Sequence, residues 1–261
     1  MTINWINTEK LSFNNLLLLE SIQLSWMPGH VPEEDLAIGL CANPVIDWYL
    51  RKKCPQLIPW LDKLMHVSAE LLTTERIYQA EQAVLKTIND WLVYVIDPAI
   101  YDKLEFLKWD DDEIHKLIDF TNLIVLDIGA GTGRLTFTAA PEAKVVFAVE
   151  PVENLRLYIK EKARKLGMKN INAVDGLITE IPFPDDFSEI TMGGFVFGEV
   201  PEKECIEMER VTRPCGMVIL CPGNADQDTP AHETLVNRGY NWSRFEAPGD
   251  GWKRKYWKKV A

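Results

Sequence analysis

The segment Leu123-Ile124-Val125-Leu126-Asp127-Ile128-Gly129-Ala130-Gly131-Thr132-Gly133-Arg134 constrains the fold more than any other part of this chain. A short apolar run rich in β-branched residues is the pattern of a buried parallel strand. It ends in an acid and a glycine-spaced loop, where bare backbone lets N–H groups approach a ligand closely. A second apolar run, Val145-Val146-Phe147-Ala148-Val149, ends in Glu150. Strand, glycine loop, helix, strand and terminal acid make one βαβ unit of the nucleoside-binding kind.

The glycine spacing refines the ligand. An acid about 20 residues beyond a Gly-x-Gly loop reports a ribose, because its oxygens accept from ribose hydroxyls. Here the glycines run Gly129-x-Gly131-x-Gly133, unlike the G-x-G-x-x-G that suits a pyrophosphate. Asp127 stands before the first glycine, where it would repel a phosphate and favour a cation. The pattern therefore disfavours a nicotinamide dehydrogenase.

Four ordered motifs carry a family resemblance. Val125 to Arg134 resembles the first motif of class I S-adenosylmethionine-dependent methyltransferases, and Val149-Glu150-Pro151 resembles their ribose-binding motif. Asp175-Gly176, followed by Ile181-Pro182-Phe183-Pro184-Asp185-Asp186-Phe187, is similar to the segment after their third strand. Arg210-Val211-Thr212-Arg213-Pro214-Cys215-Gly216 is similar to their Arg-Pro-Gly-Gly turn, with Cys215 in place of a glycine. Ser188-Glu189 stands where a Phe-Asp pair is common. The likeness spans about 104–261.

The resemblance implies S-adenosyl-L-methionine as cofactor and assigns expected roles. Gly129, Gly131 and Gly133, with Ala130 between them, form the turn beneath the methionine portion. Asp127 organises that loop or accepts from the ammonium. Thr132 and Arg134, at a helix start, suit the methionine carboxylate. Glu150 takes the ribose hydroxyls and Pro151 shapes the corner. Asp175 accepts from the adenine amino group, with Gly176 and Leu177 beside the ring. Gly193 and Gly194 let backbone approach the reacting end. No side chain is demanded by methyl transfer, so the catalytic residues stay unknown; Glu199 is the best-placed acid for a base role. Tyr101, Phe106 and Trp109 are candidate pocket-lining residues. No metal is expected, since His30, His66, His115 and His232 are scattered without ligand spacing.

Composition narrows the acceptor. A formal net charge of −11 argues against non-specific nucleic-acid binding, which needs a basic surface. The sequence Thr191 to Glu199 also lacks the Asn/Asp-Pro-Pro-aromatic motif of amino-group nucleic-acid methyltransferases and the Pro-Cys nucleophile of cytosine enzymes. The basic run Lys253, Arg254, Lys255, Lys258 and Lys259 alternates largely with Trp252, Tyr256 and Trp257 and is expected to be a solvated strand face. Five cysteines without a Cys-x-x-Cys pair fit a reduced, cytoplasmic protein. No signal peptide pattern begins the chain, and Leu16 to Leu19 is too short to cross a membrane.

The expected architecture has two parts. Residues 1–103 form a helical cap or substrate region, and 104–261 form the cofactor-binding domain. In the first, Pro32, Asn43-Pro44, Pro55 and Pro59 punctuate short helices, and one long helix runs from Thr73 or Thr74 through Val95 on the stripe Ile77, Val84, Ile88, Trp91 and Val95. Six of the nine tryptophans precede the first strand, as helical core or as an aromatic cap over the cofactor. In the second, strands near 123–128, 145–149, 171–174, 189–193 and 216–221 alternate with helices near 133–140, 152–166, 201–212 and 230–238. A hairpin over Asn241–Ala247 and Trp252–Val260 closes the chain. The fold class is α/β: a doubly wound, Rossmann-like, seven-stranded, mostly parallel sheet with a C-terminal antiparallel hairpin, plus an N-terminal helical region. The expected function is methyl transfer to a small molecule. A protein-acceptor enzyme and a catalytically silent cofactor-binding scaffold are the alternatives. The oligomeric state is not legible.

Overall fold

A computed structural model describes residues 5–261. The chain divides into two compact units, the first ending at Tyr101 and the second running Asp102–Ala261.

The first unit is built from seven α-helices and short 3-10 turns among the described residues. The helices are α1 (Ser21–Ser25), α2 (Glu33–Ala42), α3 (Pro44–Lys53), α4 (Ile58–Leu64), α5 (Thr74–Thr87), α6 (Asn89–Ile96) and α7 (Pro98–Tyr101). Prolines punctuate them as expected: Pro32 immediately precedes α2, Pro44 begins α3 and Pro59 lies in the first turn of α4. Leu16, Leu36, Leu40, Leu50, Leu61 and Leu85 are among the core side chains. Two of the tryptophans, Trp26 and Trp91, meet edge to face at 5.6 Å.

The expected single helix through Val95 is broken at Ile88, which separates α5 from α6. Asn89, which opens α6, is buried. Its Oδ1 accepts from the backbone N–H groups of Trp5 (2.6 Å) and Ile6 (3.3 Å), and its Nδ2 donates to the Ile6 carbonyl (2.8 Å). Buried hydrogen bonds worth about 1 kcal/mol each offset what the break loses. The apolar stripe is blind to this, because both helices keep the same face inward.

The second unit holds one seven-stranded sheet in the order β3-β2-β1-β4-β5-β7-β6. Its strands are β1 (Ile124–Ile128), β2 (Val145–Val149), β3 (Ile171–Val174), β4 (Ser188–Gly193), β5 (Thr212–Ala225), β6 (Asn241–Ala247) and β7 (Gly251–Lys259). The first five run parallel, and β7 pairs antiparallel with both β5 and β6. This is the doubly wound sheet with a terminal hairpin that the sequence predicts. Its helices are α8 (Asp112–His115), α9 (Arg134–Ala139), α10 (Glu153–Lys165), α11 (Pro201–Val211) and α12 (Pro230–Asn237). Alternate residues of the central strands fill opposite cores: Val125, Val146, Met192 and Ile219 on one face, Leu126, Ile128, Val149, Val218 and Leu220 on the other. Two covered faces explain why these strands read as continuous apolar runs.

Strand β5 is longer than the predicted 216–221, since it gains pairs at Ser188↔Thr212 and at Asn224↔Arg254. Cys215 adopts φ +67°, the conformation that favours glycine at this turn.

The expected solvated basic face is overturned. Arg254 and Lys255 are buried. Arg254 pairs with Asp226 and Asp228 at 2.8 Å each, and Lys255 with Glu113 at 2.7 Å. Lys253 pairs with Asp250 (2.9 Å) and Lys258 with Glu209 (3.0 Å). Arg254 and Lys255, being buried, need these acids, whereas Lys259 at the end of β7 is exposed.

Among the described residues no helix is long and apolar enough to cross a membrane.

Candidate functional site

Strand register assembles the site. Val174, Val149, Ile128, Gly193 and Leu220 are successive partners across β3, β2, β1, β4 and β5, so they form one row. The residue after β3, β2, β1 and β4 therefore leaves the sheet at the same edge, Asp175, Glu150, Gly129 and Gly194, while β5 continues through Cys221 to Ala225. This edge is the carboxyl end of the parallel strands, and the winding reverses between β1 and β4. Open α/β sheets bind ligands at such a point.

The glycine loop is pinned to β2. Gly129 and Ala130 both donate to the Val149 carbonyl, at 2.8 and 3.1 Å, and Gly133 donates to the Ala130 carbonyl at 2.7 Å. Gly129, Gly131 and Gly133 all take positive φ, at +64°, +56° and +87°. Gly133 is the left-handed N-cap of α9. The buried Thr132 sits between them, and its Oγ1 has no hydrogen-bond partner. Such an orphaned buried oxygen demands an explanation.

Two buried acids face this loop. Glu150 is 5% exposed; its Oε2 accepts from Gly131 N (2.8 Å) and its Oε1 from Val152 N (2.9 Å). Asp127 is 1% exposed and accepts from the Thr136 hydroxyl at 2.5 Å, which ties the end of β1 to α9. Burial pushes both carboxyls up to about 7. The Thr136 bonds pull Asp127 back, and the Val152 and Gly131 N–H groups and Arg156 do the same for Glu150.

The shift has a definite sign. The folded protein holds these two protons up to about pH 7, whereas unfolded carboxyls release theirs near 4. Their contribution to stability is thus present at pH 4 and declines as the pH rises from about 4 to 7. A ligand that needs either group ionised binds with proton release, so its affinity climbs through pH 7 and levels off above it.

Asp175, Gly176 and Leu177, expected beside an adenine, follow the end of β3. Asp175 is exposed and pairs with Arg156 at 2.9 Å. Gly176 packs so tightly that a Cβ would stand 2.5 Å from Pro182 Cδ and 2.8 Å from Val149 Cγ1. Leu177 bridges to Glu180. Arg156 is a residue that sequence reasoning missed. Its Nη1 donates to the carbonyls of Glu150 and Pro151, both at 2.7 Å, and to Asp175, joining the ends of β2 and β3. Its only sequence signal is its place in the first turn or so of a helix after the acid.

Three of the expected positions have surroundings that the sequence did not announce. Arg134 was assigned to a ligand carboxylate, but its Nε donates to the Leu107 carbonyl (2.7 Å) and its Nη2 to the Trp109 carbonyl (2.7 Å). Its Nη1 donates to Thr138 Oγ1 (2.6 Å), and it pairs with Asp111. These partners lie on the chain ahead of β1 and on α9, not at the loop. Gly193 and Gly194 were assigned to ligand approach. The space at their Cα atoms is also filled from inside the protein: a Cβ at Gly193 would stand 2.7 Å from Val196 Cγ1, and one at Gly194 3.1 Å from the Cys221 carbonyl. Glu199 is exposed, with no ion pair among the described residues; the acid employed there is the buried Glu204, which accepts from the N–H groups of Gly198, Glu199 and Val200. Of the aromatic candidates, Phe106 and Trp109 belong to the second unit and Tyr101 to the first.

Comparison with known proteins gives a consistent result. Residues 125–216 match a family model described as a methyltransferase domain. A demethylmenaquinone methyltransferase of Geobacillus stearothermophilus is 29% identical over 119 residues, 43% of this chain and 50% of that protein. The histone-arginine methyltransferase CARMER of Drosophila ananassae is 29% identical over 133 residues, 49% of this chain and 25% of that protein. The chain thus spans half the length, or less, of these curated relatives. Among solved structures, an S-adenosylmethionine-dependent methyltransferase from Aquifex aeolicus aligns over 64% of this chain and 100% of its own. The TM-score is 0.48 and the identity 22%.

Proposed function

From its membership of the class I S-adenosylmethionine-dependent methyltransferase family, through the domain at 125–216, we propose that this chain transfers the cofactor's methyl group to a small-molecule acceptor. The observation that carries this reading is the row of strand ends holding Glu150 and Asp175 on either side of Arg156, with the glycine loop folded onto Glu150.

The residues present fit the cofactor. Glu150 is held by two N–H groups in a position to accept from ribose hydroxyls. Asp175, anchored by Arg156, offers a carboxylate for the adenine amino group, with Gly176 and Leu177 beside it. The orphaned Thr132 Oγ1 lacks the partner that the methionine end would supply. Asp127, once ionised, favours a cationic ligand over a phosphate. The cofactor's sulfonium supplies an activated methyl group and a neutral leaving group. The protein's task is to hold the acceptor in line with it and to exclude water.

A small molecule is favoured by the acidic net charge of −11 and the absent nucleic-acid motifs. Five free cysteines suit a reducing compartment such as the cytoplasm. Titration calorimetry with S-adenosylmethionine, S-adenosylhomocysteine and NAD tests the cofactor assignment. The two sulfur nucleosides are expected to bind and NAD is not. Affinity is expected to rise between pH 6 and 8, by up to roughly tenfold per pH unit for each carboxyl that must ionise. A flat profile, measured in buffers of different ionisation enthalpy, would remove Asp127 and Glu150 from the site. Transfer of labelled methyl groups to a metabolite library, against a protein extract, then separates the small-molecule acceptor from a protein one. Binding without turnover on either would leave the scaffold reading.

A further inference from the structure

Arg134 and the segment it grips carry an inference that rests on the methyltransferase reading. Residues 105–111 run ahead of α8 and open with a 3-10 turn at Glu105–Leu107. Leu107 and Trp109 are buried, and the Trp109 ring lies 4.4 Å beneath the Arg134 guanidinium carbon. All three guanidinium nitrogens hold this segment or its anchor: Nε the Leu107 carbonyl, Nη2 the Trp109 carbonyl and the Asp111 carboxylate, Nη1 the Thr138 hydroxyl. The Thr138 hydroxyl in turn shares its proton between the Arg134 carbonyl at 3.0 Å and Asp111 at 3.3 Å. A planar fork with fixed donor directions makes such a clamp; a lysine ammonium does not.

The clamped segment has a destination. Phe106 meets Phe195 edge to face, ring centroids 5.2 Å apart. Phe195 lies two residues beyond β4, at the carboxyl end where the site lies. It is 40% exposed, takes φ +57° and donates its N–H to the Pro222 carbonyl at 2.9 Å. A bulky residue in the left-handed region is strained, and such strain gathers at ligand clamps.

We propose that residues 105–111 form a strap latched by Arg134, bringing Phe106 onto Phe195 over the methyl-transfer end of the site. Arg134 is then a positioning residue for an aromatic wall that excludes water from the acceptor side, and not a ligand of the cofactor carboxylate.

Hydrogen exchange by mass spectrometry on the full chain tests this, with and without saturating S-adenosylhomocysteine. In the ligand-free protein, Arg134→Lys is expected to speed exchange over 105–111 at least tenfold while β2 and α10 keep wild-type rates. In wild type the nucleoside is expected to slow the strap at least threefold, and Arg134→Lys to lose that slowing. Calorimetry supplies the second readout, comparing S-adenosylhomocysteine with 5′-deoxy-5′-methylthioadenosine, which lacks the amino acid. Both Arg134→Lys and Arg134→Ala are expected to leave the ratio of the two dissociation constants unchanged; the lysine variant alone decides if the alanine one does not fold. Tenfold weaker binding of S-adenosylhomocysteine alone, with unaltered strap exchange, would make Arg134 the carboxylate ligand and overturn the proposal. Strap exchange indifferent to the nucleoside in wild type would reduce the strap to a structural brace and also overturn it. No calorimetric binding to wild type would instead sink the methyltransferase reading, which the ligand-free exchange does not depend on.

Discussion

Gly129→Ala is expected to destabilise the second unit by about 2–5 kcal/mol, the largest effect of any single methyl group added at the site. Two costs combine. Gly129 sits at φ +64°, where a side chain costs about 1–2 kcal/mol. Its new Cβ would also stand 2.3 Å from Val196 Cγ2 and 2.8 Å from Val196 Cβ, an overlap that forces packed neighbours apart at about 1–3 kcal/mol. Denaturant unfolding checks the sum, and Val196→Gly in the same chain separates its parts. The double variant is expected to recover the overlap cost and retain the backbone cost. If Gly129→Ala alone unfolds at the wild-type midpoint, the loop does not have this conformation.

Glu150→Ala is expected to weaken S-adenosylmethionine binding by about 1–3 kcal/mol, roughly 5- to 150-fold, because ribose hydroxyls lose their acceptor. The loop suffers as well, since Gly131 N and Val152 N lose the carboxylate that they share. Comparing adenosine with 2′,3′-dideoxyadenosine isolates the ribose contribution. Wild type is expected to prefer adenosine, and the variant to lose that preference. Calorimetry above pH 7, where Glu150 is ionised, gives the full effect; near pH 5 the difference is expected to shrink. Equal affinities of wild type and variant at pH 8 would remove Glu150 from the ribose site.

The central sheet was legible because its signals are short-range. Strands β1 and β2 are mostly apolar runs since both faces are covered; β1 carries one buried acid, Asp127, and gives way to Gly129, and β2 gives way to Glu150. The positive φ angles of Gly129, Gly131 and Gly133 are a local demand that glycine answers locally. The terminal hairpin was legible for the same reason: Pro248-Gly249-Asp250 between two alternating runs turns the chain by itself. The candidate site divides along this line. Glu150 and Asp175 announce themselves as acids just past strands. Arg156 does not, because its value lies in reaching the carbonyls of Glu150 and Pro151 and a carboxylate on the neighbouring strand's end.

What the sequence did not announce shares one cause: partners distant in the chain. Arg134 beside a glycine loop suggests an anion, yet its partners Leu107 and Trp109 lie 27 and 25 residues earlier in the chain. Lys255 looks like a surface cation until Glu113, 142 residues away, is brought 2.7 Å from it. Asn89, the first residue past the break at Ile88, is held by the backbone of Ile6, 83 residues earlier. By itself the sequence determined where the chain extends, coils and turns, because backbone sterics and the alternation of apolar residues act over a few neighbours. Only the tertiary structure decided which charges are paired, which glycines are packed against and where a helix is interrupted. Those outcomes depend on burial and on groups that meet only once the chain has closed on itself.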